Sequence, residues 1–245
     1  MEHYQITVAY DGTRYDGWQR QGNTGRTIQA RLEQVLARLD GAAVEVHGAG
    51  RTDAGVHAKG QTADFRLARD PAPGEVLDYL NRYLPEDIAV TACRPAGPRF
   101  HARLSAKGKR YLYRLWTSPI PNVFERKYVT PWAQPLDLDA MERGAALLIG
   151  THDFKAFCGN RHFKRSSVRT LSALRVERLD GEVRLAFEGD GFLYHMVRIL
   201  AGTLVEIGMG EREAADLPRL LDSRDRAGAG RTMPAQGLIL DEVFY

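Results

Sequence analysis

The sequence predicts an α+β fold of two ferredoxin-like halves, each with an antiparallel sheet and helices packed on one side of it. Short runs of alternating apolar residues indicate strands with one buried face. Longer segments between these runs carry apolar residues at helical spacing. In the first half the two patterns follow the order β-α-β-β-α-β, which is that of a ferredoxin-like unit, and the second half repeats it in outline.

The elements of the first half follow one another closely. Residues 4–10 alternate as a strand that ends at an Asp-Gly turn signal. Residues 27–39 have the apolar spacing of a helix, with Thr27 as its N-cap and Gly41 as its stop. The remaining elements are strands at 43–47 and 61–67, a helix at 73–84 that starts with a proline, and a strand at 87–94.

The second half is predicted from similar signals. An Asp-Gly pair at 180–181 turns a hairpin, and residues 193–207 place their apolar side chains on one helix face. The join between the halves lies near residues 95–105, so the predicted domains are 1–104 and 105–245. The predicted elements are strands at 110–116, 168–178, 183–187 and 237–245, helices at 138–149, 193–207 and 213–221, and polar loops at 160–167 and 227–231.

Composition is that of a globular protein, with 44% hydrophobic and 27% charged residues. No apolar run reaches the roughly 18 residues that span a bilayer. Residues 1–11 lack the apolar core of a signal peptide, and a cytoplasmic location is therefore expected. Cys93 and Cys158 have no Cys-x-x-Cys partner, which argues against a structural disulfide or a zinc site.

The distribution of charge is more informative than the net charge of +3. Residues 88–124 and 154–176 contain no Asp or Glu but many Arg and Lys. Such windows predict surfaces that bind anions, and the aromatic residues within them could stack on unpaired bases. For either window alone, a solvated basic face is an equally good interpretation.

A carboxylate in a glycine-bounded loop is the strongest local signal for chemistry. Residues 48–58 read Gly-Ala-Gly-Arg-Thr-Asp-Ala-Gly-Val-His-Ala. Asp53 lies between two glycines that let backbone pass close to a ligand, and Arg51 would hold the carboxylate ionised. A stable anion here could serve as nucleophile, base or metal ligand, although an isolated Arg-x-Asp is more often a turn with a surface ion pair. The arginine argues against the shared proton of an aspartic protease, and a phosphate-loop ending is absent.

The whole string resembles the signature of the tRNA pseudouridine synthase A family. Three further blocks resemble that family in the expected order and extend the resemblance over nearly the whole chain. The family's fold is two such RRM-like halves whose antiparallel sheets merge into one long sheet around a central cleft. The blocks are Ala9-Tyr10-Asp11-Gly12-Thr13 with Gly17-Trp18-Gln19, Phe100-His101-Ala102-Arg103 with Lys109-Arg110-Tyr111-Leu112-Tyr113, and Phe192-Leu193-Tyr194-His195-Met196-Val197-Arg198.

The resemblance implies that the chain isomerises uridine to pseudouridine at positions 38, 39 and 40 in the anticodon stem-loop of tRNA, as a homodimer. Because the product is an isomer, no metal, redox carrier or other small-molecule cofactor is expected. Asp53 would be the catalytic nucleophile or base, acting on a uridine flipped out of its stack. Whether Asp53 acts on the base or on the sugar stays open.

The resemblance also implies substrate-binding residues. Tyr111 would lie against the uracil, although a strand tyrosine is more often part of a core. Arg51 would pair with the acid or with the nucleotide's phosphate, and Arg198 would be a second arginine near the acid, partly buried. For the two histidines that could contact RNA, a structural role is the alternative. The further RNA contacts are expected from His57, Arg103, Lys109, Arg110, Arg165, Arg169 and His195.

Two other functions stay open on the residues alone. The first is an RNA-binding module without chemistry, because ferredoxin-like repeats bind RNA widely and a fold does not determine a function. The second is a retaining glycoside hydrolase, which needs a second carboxylate at a set separation. Glu45, Asp64 and Glu188 are candidates for it, but none lies in a comparable motif.

Overall fold

The computed structural model describes residues 1–245 and has the mixed α+β composition that the sequence predicts. None of its helices combines the length and the apolar character that crossing a membrane requires. The helices are α1 (Ile28–Asp40), α2 (Pro73–Tyr83), α3 (Leu138–Leu148), α4 (Met196–Gly208) and α5 (Leu217–Ser223). The strands are β1 (Glu2–Tyr10), β2 (Val46–Gly48), β3 (His57–Leu67), β4 (Ile88–Pro95), β5 (Gly108–Trp116), β6 (Thr130–Pro131), β7 (Gly150–Asp153), β8 (Val168–Leu179), β9 (Glu182–Gly189) and β10 (Leu238–Phe244).

The chain forms two compact units. The first comprises Met1–Lys107 with Leu240–Tyr245, and the second comprises Gly108–Ile239. Strand β10 therefore begins in the second unit and ends in the first. The two domains predicted from the sequence, with a boundary after residue 104, remain a proposal about how the chain is organised.

The first unit has its strands in the order β4-β1-β3-β2, and every neighbouring pair is antiparallel. Its elements follow the predicted order β-α-β-β-α-β. Alternate residues of β1 form the core face because successive side chains of a strand point to opposite sides. On that face Tyr4 is paired in register with Phe65 and Ile6 with Ala63, and all four are buried. Helix α2 packs against α1 and β4.

Helix α1 is bounded by the two residues that the sequence predicts. The Thr27 side chain accepts a hydrogen bond from the Ala30 backbone N–H at 3.3 Å, which satisfies one of the free donors of the first turn. Gly41 ends the helix with φ 81°, in the left-handed region that glycine enters without a steric penalty. Between these caps Leu32 and Leu36 are fully buried.

The second unit has the strand order β5-β9-β8-β7, again antiparallel, with the short β6 parallel to β5. Strands β8 and β9 form the predicted hairpin, whose turn includes Gly181 at φ 69°. Helix α3 packs against α4 and β8. Helix α4 is buried along almost its entire length, which makes it the central helix of this unit.

Several boundaries differ from the prediction. Helix α4 begins at Met196 rather than at residue 193, because His195 has φ 60° and its left-handed backbone cannot continue a helix. The predicted helix over 213–221 is a short 3₁₀ turn followed by α5. Strand β7 was not predicted, since its four residues carry no apolar alternation.

Candidate catalytic site

Asp53 lies in the first unit, on the loop between β2 and β3. Its side chain is half-buried, and the residue before it, Thr52, is only 6% exposed. The chain turns directly after the acid, where the Val56 N–H donates to the Asp53 carbonyl oxygen at 3.1 Å. Gly55 adopts φ 77° within this turn, a conformation that residues with a Cβ rarely adopt. The turn therefore explains why position 55 is a glycine.

The loop backbone is held by hydrogen bonds from three neighbouring segments. The Gln61 side-chain amide of β3 donates to the Gly50 carbonyl oxygen at 2.8 Å. The Trp18 backbone N–H donates to the Thr52 carbonyl oxygen at 3.1 Å. The hydroxyl groups of Tyr10 and Thr52 are hydrogen-bonded at 2.8 Å. These bonds hold the two residues that immediately precede Arg51 and Asp53.

Glycines of the N-terminal block pack directly on this loop. A Cβ at Gly12 would lie 2.0 Å from the Val56 carbonyl oxygen, and one at Gly17 would lie 2.7 Å from the Thr52 carbonyl oxygen. Such separations are far below van der Waals contact, so only glycine fits at either position. The sequence blocks at 9–19 and 48–58 are thus two parts of one packed structure.

Arg51 is exposed and forms no ion pair with a carboxylate. The expected Arg51–Asp53 pair is therefore absent from this structure. An exposed guanidinium gains little from such a pair, because water screens the attraction and holding two side chains together costs entropy. Arg51 is left available for an anionic ligand.

His57 follows the loop at the start of β3. It is 3% exposed, and its Nδ1 accepts a hydrogen bond from the Gly12 backbone N–H at 3.0 Å. The imidazole therefore fastens the N-terminal block to the strand that leaves the loop. Its predicted contact with RNA stays a prediction.

Tyr111 and Arg198 belong to the second unit. Tyr111, on β5, is 7% exposed and packs edge-on against the Phe192 ring, with centroids 5.1 Å apart and planes at 81°. Arg198, on α4, is half-buried as the sequence predicts, and its Nε donates to the Met233 carbonyl oxygen at 2.7 Å. An edge-to-face arrangement is a preferred geometry of aromatic pairs, so this contact restrains the orientation of the Tyr111 ring.

His195 occupies a strained backbone position before α4. Its ring stacks on the Tyr194 ring at 3.7 Å. A Cβ at Gly159 would lie 2.9 Å from the His195 Nδ1, and the Gly159 N–H donates to the Tyr194 carbonyl oxygen at 2.8 Å. The basic segment that follows Gly159 is therefore anchored on the block that contains His195.

The remaining predicted RNA contacts differ in exposure. Arg103 is exposed, and the segment that carries it is held by Asp64, whose Oδ1 accepts from the Ala102 N–H at 2.6 Å. Arg165 is also exposed. Lys109, Arg110 and Arg169 are half-buried; Arg110 lies 3.6 Å from Glu188, and Arg169 donates to carbonyl oxygens of its own loop. No group of three or more His, Cys, Asp or Glu side chains is arranged to hold a metal ion.

The chain is similar to known proteins along its whole length. It matches the tRNA pseudouridine synthase family over residues 6–104 and 145–245. It is 42% identical to the tRNA pseudouridine synthase A of Bacillus sp. (strain KSM-64) and 44% identical to that of Acetivibrio thermocellus, with 100% of this chain and 100% of each relative covered. The chain belongs to the tRNA pseudouridine synthase family. It is therefore an isomerase, which sets aside both the RNA-binding module without chemistry and the glycoside hydrolase.

In this pseudouridine synthase the carboxylates considered for a hydrolase have other contacts. Asp64 is buried, and besides the Ala102 N–H it contacts His3 Nε2 at 3.0 Å. Glu188 lies 3.3 Å from Arg175, and Glu45 is exposed. Asp64 and Glu188 thus hold neighbouring segments in place.

The sequence does not predict a role for the residues that hold the loop of Asp53. Tyr10 and Trp18 lie inside the N-terminal block, but the block by itself does not say what they contact. Gln61 is a polar residue at the start of a predicted strand, and its complete burial depends on tertiary packing. A polar residue on the core face of a strand is the signal that could have found it, since such residues need a buried partner.

Proposed function

We propose that this enzyme isomerises uridine to pseudouridine at positions 38, 39 and 40 in the anticodon stem-loop of tRNA, with Asp53 as the catalytic nucleophile or base. The observation that carries the proposal is the loop of Asp53. Trp18 and Gln61 hold its backbone, Tyr10 holds the Thr52 side chain, and Asp53 is half-buried. Catalytic groups act efficiently when they are held in place before the substrate arrives.

The chemistry requires few protein groups. The bond between the ribose carbon C1′ and the uracil nitrogen N1 breaks, the base turns, and C1′ bonds to the uracil carbon C5. The proton on C5 is lost and N1 gains one, so atoms and charge balance without a cofactor. Asp53 supplies the anion for this step, either by attacking the nucleotide or by removing a proton.

Substrate binding is assigned to side chains that offer stacking or positive charge. Tyr111, whose ring packs edge-on against the Phe192 ring, is proposed to lie against the uracil. Arg51 and Arg198 are proposed to bind phosphate or carboxylate groups. Removing a base from its stack costs a few kcal/mol, which stacking and phosphate contacts offset. The remaining RNA contacts are proposed for Arg103, Lys109, Arg110, Arg165, Arg169, His57 and His195.

The proposal includes the setting in which the enzyme works. The homologous synthases are named for tRNA, and a tRNA-modifying enzyme acts where tRNA matures, so we assign it to the cytoplasm. A homodimer that binds one tRNA through both chains is proposed from the family resemblance. Sedimentation velocity with and without tRNA measures the mass of the free and bound enzyme.

The test of the proposed sites is to map the product in defined transcripts. A tRNA transcript with uridine at 38, 39 and 40, and three transcripts that each replace one of these by cytidine, are incubated with native enzyme. Pseudouridine is then located by carbodiimide labelling and primer extension. We expect stops that report each remaining uridine among positions 38, 39 and 40, and no other position. Stops in the D or T arm, or stops that persist after cytidine replacement, would contradict the proposed site.

A further inference from the structure

Tyr10 lies at the end of β1, where its phenol reaches the loop of the proposed catalytic acid. It is 5% exposed, and its hydroxyl is 2.8 Å from the hydroxyl of Thr52, which is 6% exposed. Thr52 directly precedes Asp53 in the chain. The contact joins a strand of the sheet to the residue next to the acid, through side chains rather than backbone.

Thr52 is hydrogen-bonded through both its backbone and its side chain. Its carbonyl oxygen accepts from the Trp18 backbone N–H at 3.1 Å, while its side chain meets Tyr10. Both partners lie in the N-terminal block, and Gly17 of that block permits the close approach. The two hydrogen bonds restrain both the backbone and the side chain of Thr52, and Thr52 shares a peptide bond with Asp53.

We propose that Tyr10 is a positioning residue of the isomerisation, which holds Asp53 in its reactive placement through the hydrogen bond to Thr52. The inference rests on the proposed function of Asp53 and adds the residue that sets its geometry. A displacement of about 1 Å at a reacting group lowers a rate by about a hundredfold. Removing the Tyr10 hydroxyl leaves the Thr52 hydroxyl without this partner and weakens the restraint on the residue next to Asp53.

The state of the phenol is suited to this role. Burial raises the pKa of Tyr10 well above its ordinary value, and the hydrogen bonds from Thr52 and Gln61 only partly oppose this. The hydroxyl therefore keeps its proton throughout the neutral pH range, and the hydrogen bond persists. A change in pH over that range leaves the bond to Thr52 intact.

The chain offers a matched control in Tyr4. It lies on the same strand and the same sheet face as Tyr10, since the two are six residues apart. It is 2% exposed, and its hydroxyl donates to the Pro71 carbonyl oxygen at 2.7 Å, away from the loop. Tyr4→Phe and Tyr10→Phe thus remove the same group from two buried residues of one strand, and only one of the two groups contacts Thr52.

The test compares native enzyme, Tyr10→Phe, Tyr4→Phe and Asp53→Asn by single-turnover tritium release from tRNA labelled at uracil C5. Filter binding gives Kd, and thermal unfolding gives Tm. We expect Tyr10→Phe to lose about tenfold to a hundredfold in rate, with Kd within about twofold of native. Tyr4→Phe should keep the native rate even where its Tm falls, because its hydroxyl has no contact with the loop. A structural role alone predicts equal effects of the two variants on the rate.

Variants of Thr52 test the same contact from its other side. Thr52→Val should reproduce the rate loss of Tyr10→Phe, Thr52→Ser should recover most of it, and Tyr10→Phe with Thr52→Val should lose no more than either alone. A native rate in Tyr10→Phe, an equal loss in Tyr4→Phe, or additive losses in the double variant overturns the inference. If Asp53→Asn is also inactive in those cases, the proposed function stands without it. Native enzyme without activity, or Asp53→Asn with activity, overturns the role of Asp53 and the inference with it.

Discussion

At the scale of single residues, the packing around the loop of Asp53 leaves no room for a side chain at Gly17. Gly17 has φ 96°, and its missing Cβ would lie 2.7 Å from the Thr52 carbonyl oxygen. Both conditions favour glycine: the backbone lies in the left-handed region and the space is occupied. The glycine therefore permits the contact between the N-terminal block and the loop of Asp53.

Gly17→Ala should damage both stability and activity. The substitution forces a strained backbone conformation and a collision with the loop, and we expect a loss of about 2 kcal/mol in the free energy of unfolding. The rate should fall at least tenfold because the collision displaces Thr52 and with it Asp53. Urea unfolding and single-turnover tritium release measure the two effects.

Gly22→Ala is the control for this substitution. Gly22 is exposed, and a Cβ built on it meets no atom within 4 Å. We expect its stability to stay within about 0.5 kcal/mol of native and its rate to stay unchanged. If Gly17→Ala behaves as Gly22→Ala does, the packing of the N-terminal block on the loop has no energetic role.

At the scale of elements, a buried ion pair joins β5 to β9. Glu182 is 4% exposed, and its carboxylate accepts from Arg114 Nε at 2.9 Å, from Arg114 Nη2 at 2.5 Å and from Arg184 Nε at 3.0 Å. Burial acts to raise the pKa of Glu182, but the hydrogen bonds and charges of Arg114 and Arg184 together outweigh it. The pKa of Glu182 lies below its ordinary value as a result.

This shift sets a direction for acid sensitivity. A carboxylate with a depressed pKa in the folded state stabilises the fold above its unfolded pKa of about 4.3, and the contribution is lost as pH falls through the folded value. Glu182→Gln should therefore lose about 2 kcal/mol at pH 7, because the charge-assisted hydrogen bonds from Arg114 and Arg184 are weakened. The difference from native should shrink as pH falls below about 4. Urea unfolding at pH 7 and at pH 3.5 measures this difference in the free energy of unfolding.

Glu142→Gln is the matched control, since Glu142 is exposed on α3. It should stay within about 0.5 kcal/mol of native at either pH. A Glu182→Gln difference that is constant from pH 7 to pH 3.5 would show that the carboxylate charge is not what stabilises the pair of strands.

The elements also show what the sequence pattern could and could not predict. Long periodic segments were predicted well: α1 has its predicted caps, and the hairpin β8–β9 turns at its predicted glycine. Strand β7 was missed because four residues are too few for a period to emerge. The start of α4 was misplaced because a left-handed histidine has no sequence signal, and the conformation at His195 follows from how the neighbouring loop packs on it.

The site divides in the same way. Asp53 is predicted as the catalytic residue from a glycine-bounded motif that is local in the chain. The Tyr10–Thr52 and Gln61–Gly50 contacts join residues that are distant in sequence, and only the register of β1 and β3 brings them to the loop. The predicted Arg51–Asp53 pair is absent because proximity in sequence does not bury a charge.

At the scale of the whole molecule, we expect charge to guide the binding of tRNA. The net charge is only +3, so we expect binding to depend on grouped basic residues rather than on the total. Arg165 is exposed within the acid-free window 154–176 and is a proposed phosphate contact. A phosphate contact releases about one counterion, and its loss lowers the salt dependence of binding by about one unit of log Kd per log salt.

Arg165→Ala should therefore weaken tRNA binding and reduce this salt slope by about 1. Arg38→Ala is the control, because Arg38 is exposed on α1 and lies outside both acid-free windows. Filter binding between 50 and 200 mM salt gives the slopes. Equal slopes for Arg165→Ala and native enzyme would place the Arg165 side chain away from the RNA.

The measurement that tests the central claim most directly is tritium release from unmodified tRNA labelled at uracil C5, with native enzyme and Asp53→Asn side by side. Isomerisation must free this hydrogen, because C5 becomes the glycosidic carbon. We expect release by native enzyme and none by Asp53→Asn, with both binding tRNA at similar Kd. Release by Asp53→Asn at the native rate would overturn the catalytic role of Asp53, and so would loss of tRNA binding in Asp53→Asn, which would make the residue structural.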